Sequence, residues 1–501
     1  MRADRVVPSL SDPHAPVLTD GAVCVQEGRV VAVGAYADLR HSWPEVPVVE
    51  GAGKALVPGL VDAHSHGRGL SPIRGGLGYD HLERWLLRTH QLPQLGPRLN
   101  ALISGVRHLR AGFTAIHYLH IPGADPWGEL ERMEAALSGL RAAGIRVAFS
   151  VPARDRNFLT YDDASFLPTL PAGLRKRAEE LVPGRGAGGG DAFREVFTEF
   201  LARRRGEHTS VNLAPTGPQW CTDDLLATVG ELAEAHDVRI HLHTLQTPLQ
   251  KRYGLRTFKD GLVAHLADIG LLGPRLTLGH AVWLTSRDVD RLVAAQVSVT
   301  HHAGCNLNMR NGIAPVDALL RRGVTVAMGM DDKPFSEDED AFQEMRLVGK
   351  LHRVTGGGMG SSCLTTWDVH RMATRNAALV SGFGERCGQL APGAWADMVL
   401  VDLDEICRAW SSPRVDLREL LFHAATARDV DTAIVAGKLV MRDRRLLTVD
   451  EEALWDEVRD RVDGDRHGQG LWDELEPYVE RFYRGWAAPT CDPYYPINSR
   501  M

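Results

Sequence analysis

The spacing of apolar and polar positions changes character twice along the chain. Residues 1 to about 57 read as short strands and turns. Gly21 to Val33 (GAVCVQEGRVVAV) holds two β-rich runs around Glu27-Gly28, a hairpin signal. From Leu56 onward, apolar runs alternate with amphipathic helical stretches: Trp85 to Gln91, Leu99 to Ala111, Leu130 to Ala143, Asp223 to Ala235, Ser286 to Ala295 and Pro315 to Arg322. Between them lie β-rich runs at Thr114 to Tyr118, Arg146 to Val151, Val211 to Ala214, Arg239 to His243, Leu276 to Gly279, Val297 to Thr300 and Val324 to Met328. Strand and helix in alternation predict a parallel sheet. Seven or eight such units in succession fit a (β/α)8 barrel of TIM type better than an open sheet. Residues 157–195 interrupt the pattern and end in a glycine-rich run. After about residue 384 the β-rich runs return, at Met398 to Asp402 and Thr432 to Met441.

The expected organisation is therefore an α/β protein. Residues 1–57 and 384–463 form a small β-sandwich from both chain ends, 58–383 form the barrel with its insertion, and 464–501 form a tail. That tail carries Trp472, Tyr478, Phe482, Tyr483, Trp486, Tyr494 and Tyr495, and so many aromatics predict packing rather than disorder. Composition adds exclusions. A net charge of −7 gives nucleic acid no steering field. Seven scattered cysteines, none in CxxC, argue against a disulfide framework or a cysteine zinc site and for a reducing cytoplasm. No signal peptide is visible, and no apolar run reaches the roughly 18 residues of a spanning helix. The expected protein is a cytoplasmic enzyme with no nucleic-acid or membrane partner.

Histidines supply the candidate chemistry. VPGLVDAHSH at 57–66 is an apolar strand ending in His64-x-His66, and strand residues i and i+2 face the same way. RIHLHTLQT at 239–247 repeats the pattern with His241 and His243. His280 ends the run LTLGH, and Asp331 and Asp332 follow VTVAMGM. One strand-end histidine is usually a loop cap. Histidines and a carboxylate at four strand ends converge on one barrel mouth. A divalent ion wants three or four N/O ligands and an open position for water, whose pKa it lowers from about 15.7 toward 7. A neighbouring carboxylate accepts the proton, and a further histidine polarises the group that becomes tetrahedral.

The arrangement resembles the amidohydrolase superfamily, in the branch of cytosine, guanine and S-adenosylhomocysteine deaminases and triazine hydrolases. The resemblance covers roughly residues 20–445. It rests on VPGLVDAHSH, LRAGFTAI at 109–116, APTGPQWCTDDLL at 214–226, HTLQT at 243–247, LGHAVWL at 278–284, HHAGCNLNMRNGIAPV at 301–316, GMDDK at 329–333 and GQLAPGAWADMVLVD at 388–402. It implies one divalent metal ion, Zn2+ or Fe2+, held by His64, His66, His243 and Asp331. Asp331 then serves as proton acceptor and His280 holds water or substrate. His301 and Asn306 fall where the family has a His and an Asn, with His302 the less favoured of the adjacent pair. The implied reaction is hydrolytic attack on a small nitrogen heterocycle or cyclic amidine, releasing ammonia or an amine. The implied assembly is a homodimer or larger. No lysine ends a middle strand, which argues against a second metal bridged by a carboxylated lysine.

The sequence departs from the family at Gln246, where its deaminases carry the Glu that shuttles protons. An amide cannot do acid–base work, although it hydrogen-bonds a ring amide. Asp331 and His280 carry all proton transfers, or another acid such as Asp332 or Glu337 substitutes, or the leaving group differs. Gln219 and Trp220 are expected to line the pocket, with Trp220 stacking on a flat ring. His117 is a further candidate substrate contact, with His120, and Arg74, Tyr79 and Trp85 are candidates for shaping the entrance. The glycines 184, 186 and 189 match a dinucleotide fingerprint only formally, because a helical stretch precedes them rather than a strand. Two alternatives stand beside the deaminase reading: ring opening at a cyclic amide or imidazolone C–N bond, and a catalytically inactive metal-binding relative.

Overall fold

The computed structural model describes residues 1–122, 126–182, 189–204, 209–332, 336–353, 363–408, 410–412, 414–464, 470–486, 494 and 498. Most of the glycine-rich run, Lys333, Cys491 and Tyr495 lie outside them. Eight strands form one parallel sheet in chain order. They are β1 (Leu60–Ser65), β2 (Phe113–Leu119), β3 (Arg146–Ala153), β4 (Thr209–Pro215), β5 (Ile240–Thr244), β6 (Leu276–His280), β7 (Ser298–His301) and β8 (Val326–Met328). Nearly every strand residue is buried, as expected for a sheet covered on both faces. The sheet closes on itself just past β8, where Asp331 N donates to the His64 carbonyl at 2.8 Å. Helices Pro97–Arg110, Asp223–His236 and Ser286–Ala294 fall on the predicted amphipathic stretches. Thr222 and Thr285 cap two of them by accepting backbone N–H groups, with Asp288 completing a capping box.

The chain ends meet in a second eight-stranded sheet. Strand Glu50–Pro58 lies at its centre, parallel to Arg2–Val6 and antiparallel to Met398–Asp402. Arg146 of β3 joins the two sheets. It pairs in a fully buried, bidentate fashion with Asp397, which also accepts Ala436 N at 2.7 Å. Within the interruption between β3 and β4, Ala172–Glu179 is a helix. Helix Gly190–Arg203 covers the barrel, with Phe200 against Phe149 of β3. The aromatic tail is helical at Leu471–Arg484 and docks on helix Leu82–Arg88, where Arg84 and Arg88 both bind Glu476. Among the described residues no helix is long and apolar enough to cross a membrane.

Candidate metal centre and active site

Strand alternation aims Asp62, His64 and His66 along one face of β1. Asp62 holds the strand ends in register, accepting His64 N and Met330 N, each at 3.0 Å. His66 Nδ1 faces the Leu119 carbonyl at 3.0 Å, and His243 Nδ1 faces the Thr216 carbonyl at 2.9 Å. A carbonyl only accepts, so both Nδ1 atoms carry the proton. The two Nε2 atoms, 3.3 Å apart, therefore present lone pairs to each other. Their rings lie almost parallel, 5.2 Å between centroids. Asp331 Oδ1 is 3.4 Å from both His64 Nε2 and His66 Nε2. The fully buried His64 Nε2 has no hydrogen-bond partner, while its Nδ1 bonds His241 Nε2 at 2.9 Å. Opposed lone pairs beside a buried carboxylate are unfavourable unless a cation joins them, so the donor set fits a divalent metal. Burial pushes the His64 and His243 pKa values well below the ordinary 6.5, which keeps both rings neutral and able to ligate.

The other candidates divide. His280 Nε2 lies 3.7 Å from Asp331 Oδ2, and its Nδ1 bonds Asn306 Oδ1 at 3.0 Å. Asn306 thus touches His280, and it also accepts from Asn311. The structure brings His302, not His301, to the centre: His302 Nδ1 is 3.1 Å from His280 Nδ1 and groups with His64, His280 and Asp331. Alternation explains this. Thr300 points inward to His241, so His301 points outward, to His352 at 3.2 Å. His117 sits under the centre, bonded to Ser150 and ring-packed on His241, and Gln219 is fully buried; neither lines the pocket. Asp332 is engaged by Ser65 Oγ, His66 N and Arg68 N. Glu337 accepts from Tyr79. Neither lines the pocket beside Gln246.

The pocket above the centre encloses a cavity of about 140 Å³. His66, His243, His280 and Asp331 form its floor, and Gln246, Trp85 and Trp220 its walls. Several strand-end residues here adopt left-handed backbone: Leu245, His280, Ala281, Asp331 and Asp332, with φ from 48 to 70°. Such strain in non-glycine residues gathers where packing over-determines a site. Three contributors escaped the sequence reading. Cys305 donates its S–H to Asp331 Oδ2 at 2.7 Å, and Arg68 and Arg154 line the pocket. Only their neighbours in the fold reveal them, because no spacing marks a lone Cys or Arg.

Comparison with known proteins agrees with this geometry. The model of the "Amidohydrolase family" matches residues 55–440, and that of an "Imidazolonepropionase-like composite domain, bacteria" matches 21–45. A 5-methylthioadenosine/S-adenosylhomocysteine deaminase of Syntrophobacter fumaroxidans is 30% identical over 89% of this chain and 94% of its own. A 5′-deoxyadenosine deaminase of Methanothermobacter thermautotrophicus is 28% identical over 86% and 92%. The crystal structure of an adenosine deaminase from Xanthomonas campestris with bound zinc superposes with TM-score 0.76 at 26% identity, covering 92% of this chain and 97% of that one. A family match over most of the chain, on a barrel whose strand ends gather histidines and an aspartate, identifies this protein as a member of the amidohydrolase family, a metal-dependent hydrolase of carbon–nitrogen bonds.

Proposed function

We propose that this enzyme deaminates adenine nucleosides altered at the 5′ position. The observation that carries the hydrolytic centre is the facing pair of His66 and His243 Nε2 lone pairs beside Asp331. The near full-length similarity to two adenine-nucleoside deaminases supports the substrate class. His64, His66, His243 and Asp331 would hold one divalent ion, zinc or iron. When bound, the ion supplies an acidified water as the nucleophile.

The chain's own residues do the rest. Asp331 accepts the proton released as oxygen bonds to the ring carbon. Cys305 donates to its Oδ2 and fixes the orientation of the carboxylate. His280, whose Nδ1 donates to Asn306, turns its Nε2 lone pair toward the centre, where it accepts from and orients the attacking water. The C–N bond then breaks, the proton passes from Asp331 to the departing nitrogen, and ammonia leaves. Gln246 acts by hydrogen bonding alone: its amide donates to and accepts from the ring edge and carries no proton across. Trp220 offers an aromatic face to the base.

The test is direct. Protein purified without added metal is expected to carry about one equivalent of zinc or iron per chain by mass spectrometry, and His243→Ala to lose it. The metal-loaded enzyme is expected to release ammonia from 5′-deoxyadenosine or 5-methylthioadenosine. Absence of metal overturns the centre. Metal without ammonia release overturns the deaminase reading and favours ring opening or an inactive relative.

A further inference from the structure

Beside Trp220 a second chamber of about 460 Å³ adjoins the pocket. Arg68, Leu86, Ile121, Pro122, Arg154 and Trp220 line both spaces, so the two lie side by side. The outer wall comes from the far end of the sequence. Trp472 and Tyr483 of helix Leu471–Arg484 both line the chamber. Trp472 stacks flat on His90, 3.9 Å between centroids and 4° between planes. Tyr483 is buried, and its hydroxyl accepts Tyr161 N at 2.9 Å. Tyr161 in turn donates to Glu83 at 2.8 Å, and Thr247, next to Gln246, donates to the same carboxylate oxygen at 2.6 Å. Glu476 binds Arg84 and Arg88 on helix Leu82–Arg88, whose Leu82, Trp85 and Leu86 wall the inner pocket. The C-terminal helix is thus tied to the same elements that shape the reaction site.

We infer that helix Leu471–Arg484 is part of the substrate site, its Trp472 and Tyr483 forming the wall against which the substrate's 5′ substituent lies. This rests on the adenine-nucleoside reading above. With the purine ring over the metal floor, the outer chamber receives whatever the 5′ carbon carries. Phe158, Tyr161, Trp220, Trp472 and Tyr483 surround it, and aromatic edges attract the polarisable sulfur of a thioether. The substituent class assigned to the chamber is therefore a thioether chain. Selectivity then resides partly in a helix outside the barrel.

The experiment compares kcat/KM for S-adenosylhomocysteine, which carries a long thioether chain, with that for 5′-deoxyadenosine, which carries none. Trp472→Ala is expected to lower the ratio of the two about tenfold, the size of a lost aromatic contact with its buried area. Glu474→Gln lies on the same helix, in an exposed ion pair with Arg177, and is expected to leave the ratio within about twofold. Equal losses on both substrates for Trp472→Ala, or an equal shift of the ratio by Glu474→Gln, would make the helix a structural prop and overturn the inference. An unchanged ratio in both variants overturns it too. A wild-type enzyme that turns over neither nucleoside instead removes the reading on which it rests, so the two failures are told apart.

Discussion

His66 and His243 each donate their Nδ1 proton to a backbone carbonyl, and this single choice turns their Nε2 lone pairs on each other. Gln246 sits above that pair as an amide where the resembled deaminases carry an acid. If it works by hydrogen bonding alone, Gln246→Leu lowers kcat/KM about tenfold to a hundredfold, because a ring edge loses its partners in a closed pocket. Metal content by mass spectrometry stays at the wild-type level in that variant. A variant that kept full kcat/KM would place the substrate elsewhere. His108 is a different case. Its Nε2 faces Asp62 at 2.8 Å, and its Nδ1 faces the Ser104 carbonyl at 2.8 Å and Glu339 at 3.3 Å. Every partner accepts, so the ring is held as a cation. The two carboxylates outweigh burial and raise its pKa to about 9.

At the scale of elements, the centre depends on β1 and the end of β8 lying side by side. Gly329 permits the approach: a Cβ there would stand 2.6 Å from His64 Cβ and 2.9 Å from His302 Cδ2. Gly329→Ala is expected to cost about 1–3 kcal/mol of stability by overpacking. It should also speed metal loss to a chelator, because His64 and Asp331 ride on the two strand ends being pushed apart. Chelator-challenge kinetics beside a melting curve check this. A variant that melts earlier yet keeps its metal as long as wild type would uncouple the strands from the site.

At the scale of the whole molecule, two predictions follow from buried charge. Asp397→Asn leaves the Arg146 guanidinium buried between the barrel and the second sheet without its anion, expected to cost about 3–5 kcal/mol in denaturant unfolding. The second concerns pH. Burial lowers His352 and His370 to about 4 and His117 to about 3, from 6.5. The unfolded chain binds more protons at these groups below pH 6.5, so stability falls as pH drops from 6.5 toward 4. His108 has the opposite sign. Its folded pKa near 9 gives stability that is complete below 6.5 and lost as pH rises toward 9. The melting temperature should therefore peak near pH 6.5, and His108→Gln should flatten the alkaline side. An alkaline limb that survives the variant would assign it to another group.

The order of the barrel strands was legible in the sequence, because each falls on an apolar or β-rich run, and helices such as Pro97–Arg110 and Ser286–Ala294 fall on amphipathic stretches. So were His64, His66, His243, His280 and Asp331 as strand-end candidates: position at a strand end and a period of two suffice to aim them together. Folding decided what period alone leaves open. His301 and His302 are neighbours in sequence, yet the end of β7 sends the first out toward His352 and the second in toward His280. His117 shares the inward face but lies a layer below the pocket, bonded to Ser150. Cys305 meets Asp331, and the C-terminal helix meets the barrel mouth, across separations that no local pattern encodes. The sequence by itself determines which residues occupy which face of each element, since that follows from local periodicity. Which faces meet, at what depth, and which distant segment walls the pocket depend on closing the barrel and docking the tail, and these are set by packing over the whole chain.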